Sequence, residues 1–325
     1  MKTLTYREAI QEALADAMAA DDRVFMLGED IGAAGGAFKL TDGLFDRFGE
    51  KRVLDTPISE QAIVGASLGA AVRGLRPVAE IMFADFAAVC FDGIVNEIPK
   101  YRYMTGGQVT VPLTIRLGNG AGAGFGAQHS QACENWFLNV PGLKIAVPAT
   151  PADMYGLLRG AIEDPDPVLV FEHKNLFNQK GPVPDDAGPL PLGSAEVVCA
   201  GEDVTIVATQ WMRGKAEAAA AQLAERGVGA ELIDPRTLVP FDFATVAASV
   251  ERTNRLVIVQ ESPADGSWGA SLLARVTQEQ FELLDAPPVL LAADPIPLAY
   301  AEELEAATLP SAEGIVAAVE AALAF

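Results

Sequence analysis

The sequence predicts an α/β protein of two domains, each built on a mostly parallel sheet. Three observations predict it. Short apolar runs of strand length alternate with amphipathic stretches of helical length, the pattern of βαβ units around a buried sheet. The alternation stops where Pro182, Pro184, Pro189 and Pro191 surround Asp185 and Asp186, and then restarts. The chain has 325 residues, more than the roughly 100–200 of one domain.

The elements follow in order. Thr5 and Glu8 form a capping-box pattern, and Ile10, Leu14, Ala17 and Met18 share one face of the helix it opens. Strands are expected at 24–27, 78–82, 111–116, 143–147 and 168–171, with helices near 59–73, 86–100 and 151–163. After the proline-rich stretch, strands are expected at 204–208, 230–234, 256–260 and 289–292, and helices near 213–226, 242–252, 268–281 and 311–323. This gives a first domain over 1–180, a linker over 181–193 and a second domain over 194–325.

Half of the residues are hydrophobic, enough to bury a sizeable core. Lys plus Arg number 23 against 44 Asp plus Glu, a net charge of −21, which argues against nucleic acid and anionic membrane surfaces as partners. Cys90, Cys133 and Cys199 have neither metal-site spacing nor a disulfide framework. A reducing, cytoplasmic setting is expected. The N-terminus lacks the apolar core of a signal peptide, and no apolar run reaches the length of a membrane span.

The glycine-rich run Gly118–Gly126 fits a loose G-x-G-x-x-A form at Gly122, Gly124 and Ala127. No acidic residue stands near 142–147 to hold a ribose, so a flexible or ligand-edge loop is the better reading. Four other segments have chemical character. In Asp55-Thr-Pro-Ile-Ser-Glu-Gln61 a strand ends, Pro57 turns the chain and a helix begins, placing Glu60 at the carboxyl edge of the sheet, where ligands bind. A first-turn Glu stabilised by the helix dipole explains the same spacing. The helix after it carries Ala62, Gly65, Ala66 and Gly69 on one face, which suits close approach of another helix, within the chain or from a second subunit. Phe86, ending Glu80-Ile-Met-Phe-Ala-Asp-Phe86, serves as core or stacks on a flat ring. His129, flanked by Gln128 and Ser130, is the candidate for acid–base work, whereas His173 reads as a polar strand-end residue.

Together these segments resemble the beta subunit of the thiamine-diphosphate-dependent component of 2-oxoacid dehydrogenase complexes. The matching stretches are Asp55-Thr-Pro-Ile-Ser-Glu60, Gly74-Leu-Arg-Pro77, Glu80–Phe86, Tyr101-Arg-Tyr-Met104, Ala127-Gln-His-Ser-Gln131, Pro141-Gly-Leu-Lys144 and Ile233-Asp-Pro-Arg236. They span nearly the whole chain.

The resemblance implies a pyrimidine-binding parallel-sheet domain followed by a transketolase C-terminal-like domain. It assigns Ile58, Glu60 and Phe86 to the cofactor, with Glu60 hydrogen-bonded to the aminopyrimidine ring and Phe86 packed on it. It assigns His129 to the substrate and lipoyl entrance. A structural potassium ion would fall at Leu113, Ala161, Ile162, Asp164 and Asp166. Magnesium on the diphosphate is held in this superfamily by Gly-Asp-Gly, which this sequence lacks. The resemblance therefore implies that an alpha subunit supplies magnesium, in an alpha2-beta2 heterotetramer that passes acyl groups to a lipoyl acyltransferase. Acetoin, pyruvate and branched-chain 2-oxo acids are the substrate alternatives. A non-catalytic scaffold subunit, or a homodimeric transketolase relative, would share the fold. The first needs neither Glu60, Phe86 nor His129, and the second needs a longer chain.

Overall fold

A computed structural model describes residues 1–325. Two compact units divide the chain: Met1–Asn119 with Asn139–Leu192, and Gly120–Leu138 with Gly193–Phe325.

In the first unit, β1 is Lys2–Thr5, β2 Val24–Gly28, β3 Val53–Asp55, β4 Arg76–Ile81, β5 Thr114–Asn119, β6 Lys144–Ala146, β7 Val168–His173 and β8 Lys180–Val183. A parallel sheet runs in the order β6-β7-β5-β4-β2-β3. Helices cover its faces, so β5 and β7 are buried at every position. Their charged members, Arg116 of β5 and Glu172 of β7, are therefore buried and pair with each other. The helix Tyr6–Ala20 opens with the expected capping box: Glu8 N–H donates to Thr5 Oγ1, and Thr5 N–H donates to Glu8 Oε2. It lies beside the helix Pro151–Glu163, to which it is tied by Tyr155 Oη donating to Asp16 Oδ2 at 2.8 Å.

Two expectations change here. The helix expected over 86–100 is a 3-10 turn, Ala84–Ala88, followed by a π turn, Gly93–Glu97. Gly93 comes so close to the helix Glu60–Val72 that a Cβ there would meet Val64 Cγ1 at 2.7 Å. The proline-rich stretch is also not a free linker. Lys180–Val183 pairs antiparallel with β1, and Leu190 N–H donates to Gly156 O. A Cβ on Gly160 would stand 2.2 Å from Leu190 O.

In the second unit, β9 is Glu196–Cys199, β10 Val204–Ala208, β11 Ala230–Asp234, β12 Thr237–Val239, β13 Leu256–Pro263 and β14 Val289–Ala293. Five strands form a sheet in the order β14-β13-β10-β11-β9, with only β9 antiparallel. Ile206, Leu232 and Val257 from the sheet, with Leu223, Ile315 and Val319 from helices Gln210–Glu225 and Ala312–Leu323, make the core. The stretch Glu302–Leu323 is apolar enough over its length to cross a membrane. It is broken near Pro310 into helices of 6 and 12 residues, and the second packs into this core.

Residues 120–138, which lie within the 1–180 domain expected from sequence, make their contacts with this unit. Ala121 N–H donates to Glu261 Oε1, Asn135 Nδ2 donates to Ser262 Oγ, and Trp268 N–H donates to Asn135 Oδ1. Such polar bonds between distant segments leave no periodicity to read.

Candidate active site

Parallel strands all present their carboxyl ends at one edge. In the first unit Glu29 follows β2, Glu60 follows β3 and Phe86 follows β4, so three separate loops deliver them to that edge. Glu60 is the first residue of its helix and is buried, 7% exposed. Ser59, the N-cap, makes no side-chain cap there. Ile58, two residues before, is 84% exposed, an apolar side chain displayed at the sheet edge. Phe86 is half-buried and meets Phe83 edge-on at 5.8 Å between ring centroids.

Two residues not singled out in the sequence join this corner. Burial pushes the Cys90 thiol up to about 12, with the Glu60 charge as a second cause. Cys90 Sγ lies 3.9 Å from Phe86 O, so it bridges the surroundings of Glu60 and Phe86. Glu29 is raised above its ordinary value, first by burial and then by the Glu60 charge, against a hydrogen bond from Ser59 N–H. Its Oε1 is buried without a hydrogen-bond partner. An orphaned buried oxygen is costly unless a further donor reaches it. A flat, apolar-faced ring bearing amino and ring-nitrogen groups matches this set of an acceptor pair, an aromatic face and an exposed Ile. The position of Glu29, directly after a central strand, is the sequence signal that could have found it.

Deeper in the sheet, Arg116 Nε and Nη2 donate to Glu172 at 2.6 and 3.0 Å, and Nη1 donates to Glu80 Oε2 at 2.7 Å. Arg116 is fully buried. Burial raises the Glu172 carboxyl against the pull of Arg116, and the Glu80 charge adds to the rise. This buried triad underpins the floor of the edge. His173 is fully buried and its Nδ1 accepts from Asn175 N–H, the role of a strand-end cap.

The five positions expected around potassium all lie in the first unit. However, Lys144 Nζ lies 2.7 Å from both oxygens of Asp164, and Arg102 donates to Asp166 Oδ1 at 2.6 Å. Arg76 donates to Ile162 O, Asp164 N–H to Ala161 O, and Val168 N–H to Leu113 O. Each of these carbonyls accepts one hydrogen bond, which leaves it a second lone pair, and both carboxylates are countered by cations of the chain itself.

In the second unit, His129 ends the four-residue helix Gly126–His129 and is half-buried. A cavity of about 720 Å³ is lined by its neighbour Gln128 and by Gln131, Asn135, Trp136, Glu261 and Asp294, but not by His129 itself.

The sequence matches the transketolase pyrimidine binding domain over residues 2–180 and the transketolase C-terminal domain over residues 193–315. It is 44% identical to the pyruvate dehydrogenase E1 component subunit beta-2 of Oryza sativa subsp. japonica, over 99% of this chain and 86% of that protein. It is also 44% identical to the beta subunit of acetoin:2,6-dichlorophenolindophenol oxidoreductase of Bacillus subtilis (strain 168), over 97% of this chain and 96% of that protein. A solved structure described as split gene transketolase, inactive beta4 tetramer, superposes with a TM-score of 0.82 at 26% identity, covering 99% of this chain and 98% of that one. With two transketolase-type domains, a parallel-sheet edge that gathers Glu29, Glu60 and Phe86, and this likeness along its whole length, the chain belongs to the family of pyruvate and acetoin dehydrogenase beta subunits.

Proposed function

We propose that the chain is the beta half of a thiamine-diphosphate-dependent dehydrogenase component that cleaves acetoin or a 2-oxo acid and delivers the acyl group to a lipoyl acyltransferase. The observation that carries this is the buried Glu60 carboxylate at the sheet edge, beside Glu29, whose Oε1 is unpartnered. When bound, thiamine diphosphate supplies the carbon nucleophile that the amino-acid side chains lack.

The chain's own residues bind and orient. Glu60 would accept a hydrogen bond from the bound aminopyrimidine. Glu29, whose carboxyl is raised by burial and then by the Glu60 charge, lies beside it. Phe86 stacks on the ring face, worth about 0.5–1.5 kcal/mol beyond area burial, and Ile58 adds an apolar contact. His129 would serve as the acid–base group in acyl transfer to the lipoyl partner.

The sequence has no Gly-Asp-Gly, so magnesium and the diphosphate fall to an alpha subunit, with alpha2-beta2 as the assembly. The solved relative described as an inactive beta4 tetramer supports a beta chain that assembles without being active by itself. The test is cofactor titration, with magnesium, of the chain alone and of the chain co-expressed with its alpha partner. It is followed by dye reduction with acetoin, pyruvate and a branched-chain 2-oxo acid. Turnover is expected only with alpha present. Tight, magnesium-dependent binding to the chain alone overturns the division of labour.

A further inference from the structure

The glycine-rich stretch before His129 has no role in the reading above, yet its backbone is unusual. Gly120, Gly122, Gly124 and Gly126 have φ of 84, 86, 69 and 73°, and the residues between them are not left-handed. Such alternation turns successive N–H groups into one concavity that attracts anions. Here the anions are internal. Ala121 N–H donates to Glu261 Oε1 at 2.5 Å, and Gly124 N–H donates to Glu305 Oε2 at 3.3 Å. Glu261 comes from β13 and Glu305 from the helix Glu302–Ala307, so two distant elements grip one loop.

Glu305 is not an ordinary surface acid. It is 1% exposed, and its Oε1 has no hydrogen-bond partner. Burying a carboxylate with so few donors is expensive, and an apolar residue would fill the space more cheaply. Tyr300 closes the same side: a Cβ on Gly124 would stand 3.6 Å from Tyr300 O, and one on Gly126 3.8 Å from Tyr300 Cδ2. At the far end Gly120 N–H donates to Gln131 O at 3.0 Å. The base of the loop is thus clamped on both sides of the helix that ends in His129.

We infer that Glu261 and Glu305 are positioning residues, which hold the glycine loop through its backbone N–H groups and thereby fix the place of His129. The inference rests on the reading of His129 as the group that acts in acyl transfer.

The test uses the alpha–beta complex with Glu305→Ala and Glu305→Gln, and with Glu279→Gln as a surface control. Amide hydrogen exchange is read over 118–131, beside acylation of a lipoyl domain and reduction of 2,6-dichlorophenolindophenol. Glu305→Ala is expected to raise exchange in 118–131 by on the order of tenfold or more, with strand 204–208 unchanged. Its kcat for lipoyl acylation is expected to fall by on the order of tenfold to a hundredfold, because small misplacements of a reacting group cost that much. KM and dye reduction should change far less. Glu305→Gln keeps one acceptor oxygen and is expected to recover most of the protection and rate. It also decides the matter if the alanine variant fails to fold. Unchanged exchange in 118–131, or a glutamine variant as damaged as the alanine one, overturns the inference. If the loop loosens in Glu305→Ala while His129→Ala still acylates lipoyl normally, the clamp stands and the role of His129 falls.

Discussion

The Glu60 carboxylate and the Cys90 thiol occupy one buried corner of the first unit, and the thiol is pushed up to about 12 by burial first and the Glu60 charge second. A thiol so raised carries almost no thiolate near neutral pH. Cys90 is therefore expected to resist iodoacetamide at pH values where the partly exposed Cys199 reacts, and to react once the chain is unfolded. Peptide mass spectrometry reads both sites, and alkylation of Cys90 in the folded protein would contradict the burial.

Glu60→Gln keeps shape and helix position while removing the charge. The complex should assemble with an unchanged melting temperature, and turnover should fall by about 10²–10⁴-fold, the usual worth of a positioned proton-transfer group. Near-normal dye reduction in a folded Glu60→Gln complex sinks the assignment.

Glu29 yields a pH dependence. Burial and then the Glu60 charge raise its carboxyl above 4.5. A group that binds its proton more tightly when folded contributes stability that is full below 4.5 and is lost as pH rises through the folded value. Glu29→Gln should flatten that decline. Urea denaturation from mildly acidic to neutral pH measures it; parallel curves for the two proteins would rule it out.

Lys144 holds both oxygens of Asp164 where the family resemblance implies a potassium ion. Exchanging potassium for choline at equal ionic strength should leave the wild-type melting temperature unchanged. Lys144→Met leaves Asp164 without its main cation and should cost on the order of 1–3 kcal/mol. Potassium-dependent melting of the wild-type chain is the contrary result.

Nothing lies within 4 Å of where a Cβ would sit on Gly65 or Gly69, and Ala62, Gly65, Ala66 and Gly69 are all exposed. The small-residue face is thus not an internal contact. Gly65→Leu should fold normally but fail to bring two beta chains together, because overpacking at a contact costs about 1–3 kcal/mol on each side. Sedimentation of the variant decides it, and an unchanged oligomer refutes the contact.

Much of this architecture was legible because periodicity reports burial. The strands at 204–208 and 230–234, buried on both faces, stand where the apolar runs placed them. Thr5 and Glu8 form the box that their spacing implies. What stayed hidden depends on partners far away in sequence. Glu196–Cys199 is a half-exposed edge strand with little apolar signal. The turns between 84 and 97 depend on how closely Gly93 approaches Val64. At the site, Glu60 and Phe86 could be named from flanking motifs, but Glu29 and Cys90 matter only because folding sets them beside Glu60. Likewise Glu305 gains meaning only from Gly124, 181 positions earlier.

The excursion of residues 120–138 into the second unit has a consequence for synthesis. As the chain leaves the ribosome, the first unit is interrupted after Asn119 and resumes at Asn139, so it can close once Leu192 has emerged. The segment carrying His129 is already made by then, but the strands and the Glu261 and Glu305 carboxylates that hold it are not. It must wait, unanchored, from Leu138 until Glu261 is made, 261 − 138 = 123 residues on, a long-range closure of the kind that slows folding. Arrested chains ending just after residue 192 should therefore be nicked by protease within 120–138, while the sheet of the first unit survives.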